Sequence, residues 1–320
     1  MYEKFYGLTR SPFELSPDPR FFYPTPAHTE ALAILSYGVL RRKGFVVVTG
    51  EVGTGKTLLL RYLLEFIGDN NVAFAFVYNP LLSVPDFLSY VLTDLKLSLA
   101  GRTKGEMLSC LNDYLLVRSR RGETTAIIID EAHLLRWELL EEIRLLTNLE
   151  TSQHKLVQLV LVGQPELDQK LDSPELRQLK QRVSLRCQLK PLTFKELQGY
   201  IYRRLELAGA NSQATTIFPE ETIAAIYDIS QGIPRVINNL CENSLVAGYG
   251  KQMKEITVAI VREVASDLRL NQVTVSSTGG HRESGVGIEL PLIPTGAVIR
   301  DILRVLKRRF ANLQPGVERQ

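Results

Sequence analysis

The chain has 320 residues, 45% of them hydrophobic and 23% charged, and a formal net charge of +3. That is an ordinary soluble profile with enough chain for two domains, and its mild positive balance permits nucleic-acid or anionic-membrane contact without requiring it. Three well-separated cysteines, Cys110, Cys187 and Cys241, form no CxxC pair, so neither a disulfide framework nor a zinc site is expected.

Residues 1–25 are dense in aromatics and prolines, and Ser16-Pro17-Asp18-Pro19 reads as a turn. This start lacks the charged stretch and apolar run of a signal peptide. No segment approaches the roughly 18 apolar residues needed to span a bilayer. A cytoplasmic protein without an integral membrane segment is expected, with peripheral docking at the inner membrane allowed.

Helical spacing of Ala31, Ile34, Leu35 and Val39 predicts a helix over 27–42. A β-branched strand at 45–50, a glycine loop and a helix at 57–67 follow in immediate succession. Further strands are predicted at 72–80, 125–133, 155–165 and 183–189, separated by helices at 84–97, 104–118 and 137–149. Several strand runs are apolar without alternation, as expected when both sheet faces are covered. The predicted fold class is therefore α/β, a mostly parallel sheet flanked by helices.

After Pro191 the pattern becomes helical, at 193–207, 219–228, 234–247 and 255–267, with Thr193, Pro219 and Pro234 near the starts. The expected organisation is an α/β domain at 1–191, including the aromatic amino-terminal block, and a small all-helical lid at 192–268. A flexible linker is expected at 269–294 and a basic amphipathic tail helix at 295–320.

Gly50-Glu51-Val52-Gly53-Thr54-Gly55-Lys56-Thr57 fits the phosphate-binding pattern GxxxxGK[ST], the Walker A motif, with the required strand before it and helix after it. Its glycines let backbone N–H groups close around phosphate at the helix amino end. Lys56 is expected to reach the β- and γ-phosphates of ATP, and Thr57 to ligate Mg²⁺. In Ile127-Ile128-Ile129-Asp130-Glu131 an apolar strand delivers two carboxylates at its end, the Walker B arrangement. Asp130 is read as a magnesium holder and Glu131 as the general base for the attacking water.

The letters Asp130-Glu131-Ala132-His133 also occur in one helicase group. A helicase of that group needs a second α/β core, and the helical stretch at 193–267 leaves no room for one. His133 reads first as a local structural residue and second as a nucleotide sensor. Gln164, at the end of LVLVG, can point at the γ-phosphate and position the lytic water. Asn79 either orients Glu131 or merely turns the chain before Pro80. Arg177, Arg182, Arg186 and Arg235 are candidates to stabilise the transferring phosphoryl group, and spacing does not choose among them.

With these motifs in place, the chain resembles the AAA+ ATPases and, more narrowly, the ExeA-type secretion ATPases. The likeness covers about residues 1–268 and rests on FYGLTRSPFELSPDPRFFYPTPAHTEAL, GEVGTGKT, IIIDEAH, LVGQPEL, LKQRVSL, LKPLTFKELQGYI and GIPRVINNLCENSL. It implies Gln164 as the first sensor, Arg182 as an arginine finger acting across a subunit boundary, and Arg235 as a second sensor on the lid. It also implies that the amino-terminal block packs near the adenine, and that the protein is a homo-oligomer with ATP held between subunits. The implied function is ATP-driven assembly or remodelling of a secretion, pilus or polysaccharide-export complex through an envelope protein partner. ExeA itself looks like an ATPase joined through a membrane segment to a peptidoglycan-binding domain. These 320 residues show neither, so direct peptidoglycan engagement is not expected. Transposition ATPases of the TniB and TnsC kind are similar over the same core, which makes a regulator bound to double-stranded DNA the alternative.

Overall fold

Five short strands, β1 (Phe45–Gly50), β2 (Val72–Val77), β3 (Thr124–Ile129), β4 (Gln158–Gly163) and β5 (Leu185–Leu189), form one sheet in the order β2-β3-β4-β1-β5. All four pairings are parallel. The computed structural model describes residues 1–14, 21, 23–98, 103–152, 154–210 and 214–270. The predicted tail helix, and all of the predicted linker beyond residue 270, lie outside the described residues.

The central strands β1 and β4 are buried along their whole length, which is why their sequences run apolar without alternation. Phe45, Val47, Ile127, Ile129, Leu159 and Leu161 face one core, shared with Leu88 and Leu111 from the helices Val84–Asp94 and Lys104–Arg120 and with Leu140 from Trp137–Leu146. Against the other face lies the helix Pro26–Leu40. It approaches closely because Gly38 has no side chain: a Cβ there would sit 2.4 Å from Val46 Cγ2. Covering both faces confines the reactive positions to the carboxyl ends of the strands, where parallel α/β sheets bind ligands.

The described residues within 1–25 and 191–270 form a second compact unit. Its main helices are Phe194–Leu207, Glu220–Ser230, Pro234–Gly250 and Val258–Asp267. Thr193 caps the first through a full capping box with Glu196, and Pro234 opens the third. Leu197, Ile201, Phe218, Ile223, Ile237 and Leu245 make its core.

The amino-terminal block therefore departs from the expectation that it belongs with the α/β sheet. Phe13 is fully buried and meets Phe218 edge-on, with ring centroids 6.0 Å apart. Tyr2 donates its hydroxyl to Glu242 Oε1 at 2.6 Å, and Arg204 Nη1 donates to the Pro12 carbonyl at 2.7 Å. The physical reason is that short helices leave part of their apolar surface open, and an aromatic segment too short to make its own core closes it.

Among the described residues no helix is long and apolar enough to cross a membrane, and the cysteines are unpaired.

Candidate functional site: a phosphate loop beside two carboxylates

β1 ends at Gly50, and the following loop enters the helix Lys56–Gly68 directly. Gly53 and Gly55 adopt φ of 82° and 95°, a left-handed conformation that L side chains resist. At Gly50 the constraint is space: a Cβ would lie 2.9 Å from the Leu189 carbonyl oxygen. Thr54 is buried and donates its hydroxyl to the Glu51 carbonyl at 2.8 Å, tightening the loop. His28, also buried, places Nε2 3.1 Å from the Thr54 carbonyl. The loop is thus held in shape from within and from the preceding helix.

Lys56 folds back over this loop, donating to the carbonyls of Gly50 and Glu51 at 2.7 and 2.8 Å. Burial lowers the pKa of its ammonium, while the carboxylates of Glu131, Asp130, Glu51 and Glu166 oppose that shift. A desolvated cation surrounded by loop carbonyls is primed to exchange them for phosphate oxygens. Glu51, Val52 and Thr57 are exposed at the loop's surface.

β3 brings Asp130 beside Thr57, whose hydroxyl donates to Asp130 Oδ2 at 3.2 Å. Asp130 Oδ1 accepts from the Glu131 N–H at 2.8 Å. Asp130 is 5% exposed, and burial raises its carboxyl pKa, with the Glu131 charge adding to the effect. A buried carboxylate next to a hydroxyl, both oxygen donors, fits a small hard cation. Among the described residues no group of three or more His, Cys, Asp or Glu could hold a metal ion. Glu131 follows in left-handed backbone at φ 49°, its side chain 42% exposed and open to water.

Comparison with known proteins bears on this geometry. Residues 40–171 match the AAA domain family. The chain is 37% identical over 302 residues to General secretion pathway protein A of Aeromonas hydrophila, covering 92% of this chain and 53% of that protein. The chain thus spans about half the length of the curated relative it matches.

Residues 40–171 carry an AAA domain.

Solved structures agree at the level of fold. Cdc6p from Pyrobaculum aerophilum superposes with a TM-score of 0.60 at 20% identity, over 80% of this chain and 70% of that one. The ORC2 protein of Aeropyrum pernix, in its ADPNP–ADP complexes, gives 0.59 at 16%, over 81% and 71%.

Around this AAA domain the other candidates fall into distinct places. Gln164 lies just past β4, half-buried, beside the loop that carries Glu131. The approach is close: a Cβ on Gly163 would lie 3.0 Å from the His133 amide nitrogen. Asn79 is exposed, and its Oδ1 accepts from the Leu81 N–H at 3.1 Å, the contact expected of a turn residue. Arg235 is exposed in the first turn of Pro234–Gly250, in the helical unit.

The three arginines near β5 separate clearly. Arg186 is engaged within the chain, ion-paired to Asp168 at 3.1 Å and Asp172 at 3.4 Å. Arg177 is exposed at the start of the short helix Arg177–Lys180. Arg182 precedes β5, whose Leu185 pairs with Val46 near the start of β1, while Leu189 pairs with Gly50 at the phosphate loop. Those two rungs are about 13 Å apart. Arg182 therefore sits at the opposite end of the sheet from its own phosphate loop, hydrogen-bonded to Asn148 Oδ1 at 3.0 Å.

Four contributors to the site carry no signal of their own in the sequence. They are His28, Thr49, Asp168 and Lys170. Thr49 donates its hydroxyl to Asp168 Oδ2 at 2.5 Å, linking residues 119 apart in the chain. Lys170 Nζ donates to the carbonyls of His133 and Leu135 at 2.7 and 2.8 Å. His28 and Thr49 sit in a helix and a strand that read as ordinary scaffold, while Asp168 and Lys170 sit in a helix too short to show a helical period.

Proposed function

We propose that the phosphate loop binds Mg²⁺–ATP and that hydrolysis drives assembly or remodelling of a cell-envelope secretion, pilus or polysaccharide-export complex. The observation that carries the chemical part is Glu131, a part-exposed carboxylate mounted directly after the buried Asp130, which accepts from the exposed Thr57 hydroxyl. The likeness to General secretion pathway protein A supports the cellular part.

In this reading the N–H groups of Gly50–Thr57 and the Lys56 ammonium hold the β- and γ-phosphates. Thr57 and Asp130 hold Mg²⁺, which when bound neutralises charge on the phosphate oxygens. Glu131 removes a proton from the attacking water, and Gln164 orients that water. Arg182 acts on the nucleotide of a neighbouring copy, a role supported by its distance from its own loop. Arg235 serves as the second sensor. A cation in the first turn opposes the helix dipole, so its placement has no benefit to the isolated helix. Docking at the inner membrane is through a partner protein.

The test is the steady-state ATPase rate per subunit against protein concentration, for the wild type and Arg182→Ala, with and without duplex DNA. A rate that rises with concentration, ignores DNA and falls ~10³-fold or more in the variant supports an intersubunit site. Strong stimulation by DNA that fades with salt would replace the envelope role with that of a DNA-binding regulator.

A further inference from the structure

His133 is 11% exposed at its side chain, and its ring faces two groups at once. Nδ1 lies 3.5 Å from Glu131 Oε2 and 3.5 Å from the backbone nitrogen of Gln164. Glu131 Oε2 is itself buried and has no hydrogen-bond partner among the described residues. It therefore needs a donor, and the His133 ring nitrogen is the polar group set against it.

A single ring nitrogen cannot serve both neighbours. Carrying a proton, Nδ1 donates to the Glu131 carboxylate and leaves the Gln164 N–H without its acceptor. Without the proton, it accepts from Gln164 and turns a lone pair toward the carboxylate. Both distances stand at the outer limit of a hydrogen bond, so a small movement of either loop toward the ring completes one contact at the expense of the other. The ring's own backbone is held still meanwhile. Lys170 grips the carbonyls of His133 and Leu135, and the close approach of Gly163 fixes the His133 amide.

We infer that His133 is a positioning residue, whose Nδ1 hydrogen-bonds alternately to Glu131 and to the Gln164 backbone, so that the end of β4 controls whether the base is held in place. This rests on the assignment of Glu131 as the base. With Nδ1–H on Oε2 the carboxylate is fixed and its other oxygen is left for water. With the proton carried on Nε2 instead, having exchanged through solvent, Nδ1 accepts from Gln164 and the carboxylate is released. Movement at the γ-phosphate end of β4 is thereby converted into presence or absence of an oriented base, with no direct contact between His133 and nucleotide.

The experiment compares His133→Ala and His133→Asn with the wild type and Glu131→Gln, measuring kcat, KM for ATP, the dissociation constant of a fluorescent ATP analogue, and thermal unfolding. An asparagine amide places a donor or an acceptor close to the position of Nδ1. The expected result is a kcat at least ~10-fold lower in His133→Ala, with KM and analogue affinity within about two-fold, and recovery to within about three-fold of wild type in His133→Asn. Addition of Gln164→Pro to His133→Ala, which removes the competing N–H, should lower kcat by less than the product of the two single effects. An unchanged kcat in His133→Ala overturns the inference. So does a loss shared by kcat, affinity and melting temperature that asparagine fails to restore, which marks a merely structural histidine. If Glu131→Gln turns over like the wild type, Glu131 is not the base, and the inference falls with that assignment rather than by its own test.

Discussion

Asp130 holds its carboxylate in a place that burial makes costly for charge. A raised carboxyl pKa means that its contribution to stability is complete below the ordinary carboxylate range. That contribution is lost as pH rises through the folded-state value, so at neutral pH the ionised group is a burden on the nucleotide-free protein. Asp130→Asn removes that burden. The variant should melt higher than wild type at pH 7 without nucleotide, with the gain shrinking toward about pH 4. Thermal unfolding at both pH values checks this, and a lower melting temperature at pH 7 would contradict it. The neighbouring Glu131→Gln should instead leave nucleotide binding intact and lower turnover by ~10²–10⁴, as removal of a general base does. Equilibrium binding with single-turnover hydrolysis separates the two effects.

Among the elements, the short helix Glu166–Leu171 is tied to the site by side chains at two positions, Asp168 and Lys170. Asp168 ties it to Thr49 at the end of β1 and to Arg186 on β5, and Lys170 ties it to the loop after Glu131. These contacts link the segment after β4 to the end of β1, to β5 and to the loop after Glu131. In the helical unit, the turn before Pro234–Gly250 depends on one glycine. Gly232 has φ 74°, and a Cβ there would lie 2.0 Å from the Leu192 carbonyl oxygen, which is backbone and cannot swing away. Gly232→Ala should therefore cost at least about 2 kcal/mol, read from denaturant unfolding of the helical unit. The element pattern was largely legible beforehand: the strands, the long helices and the Thr193 cap all follow from periodicity and capping chemistry. The small helices at Glu166–Leu171 and Arg177–Lys180 were not, because a segment of four to six residues is too short to show a helical period.

At the scale of the whole molecule, the described residues make two units from three stretches of sequence. The amino-terminal block joins a helical unit whose main helices lie nearly 200 residues further on, as the Tyr2–Glu242 and Arg204–Pro12 contacts show (|i−j| of 240 and 192). Phe13→Ala should lower the stability of that unit by ~3–5 kcal/mol, the usual cost of truncating a buried phenylalanine. Amide exchange should accelerate in the helices between 194 and 267 while β1, β3 and β4 keep their protection. Faster exchange in the strands and unchanged helices would place the block with the sheet after all.

The sequence by itself determined the α/β class, the phosphate loop and the paired carboxylates, because each rests on local rules: strand and helix periods, glycines that permit left-handed backbone, and acids at a strand end. It could not choose among Arg177, Arg182 and Arg186, nor reveal Asp168, Lys170 or the double exposure of His133 to Glu131 and Gln164. Those depend on strand order and register. Parallel pairing places β4 between β3 and β1, so that residues 31 to 119 apart meet within hydrogen-bond range. Only the tertiary structure decides which of many ordinary polar residues such a crossover brings beside the site.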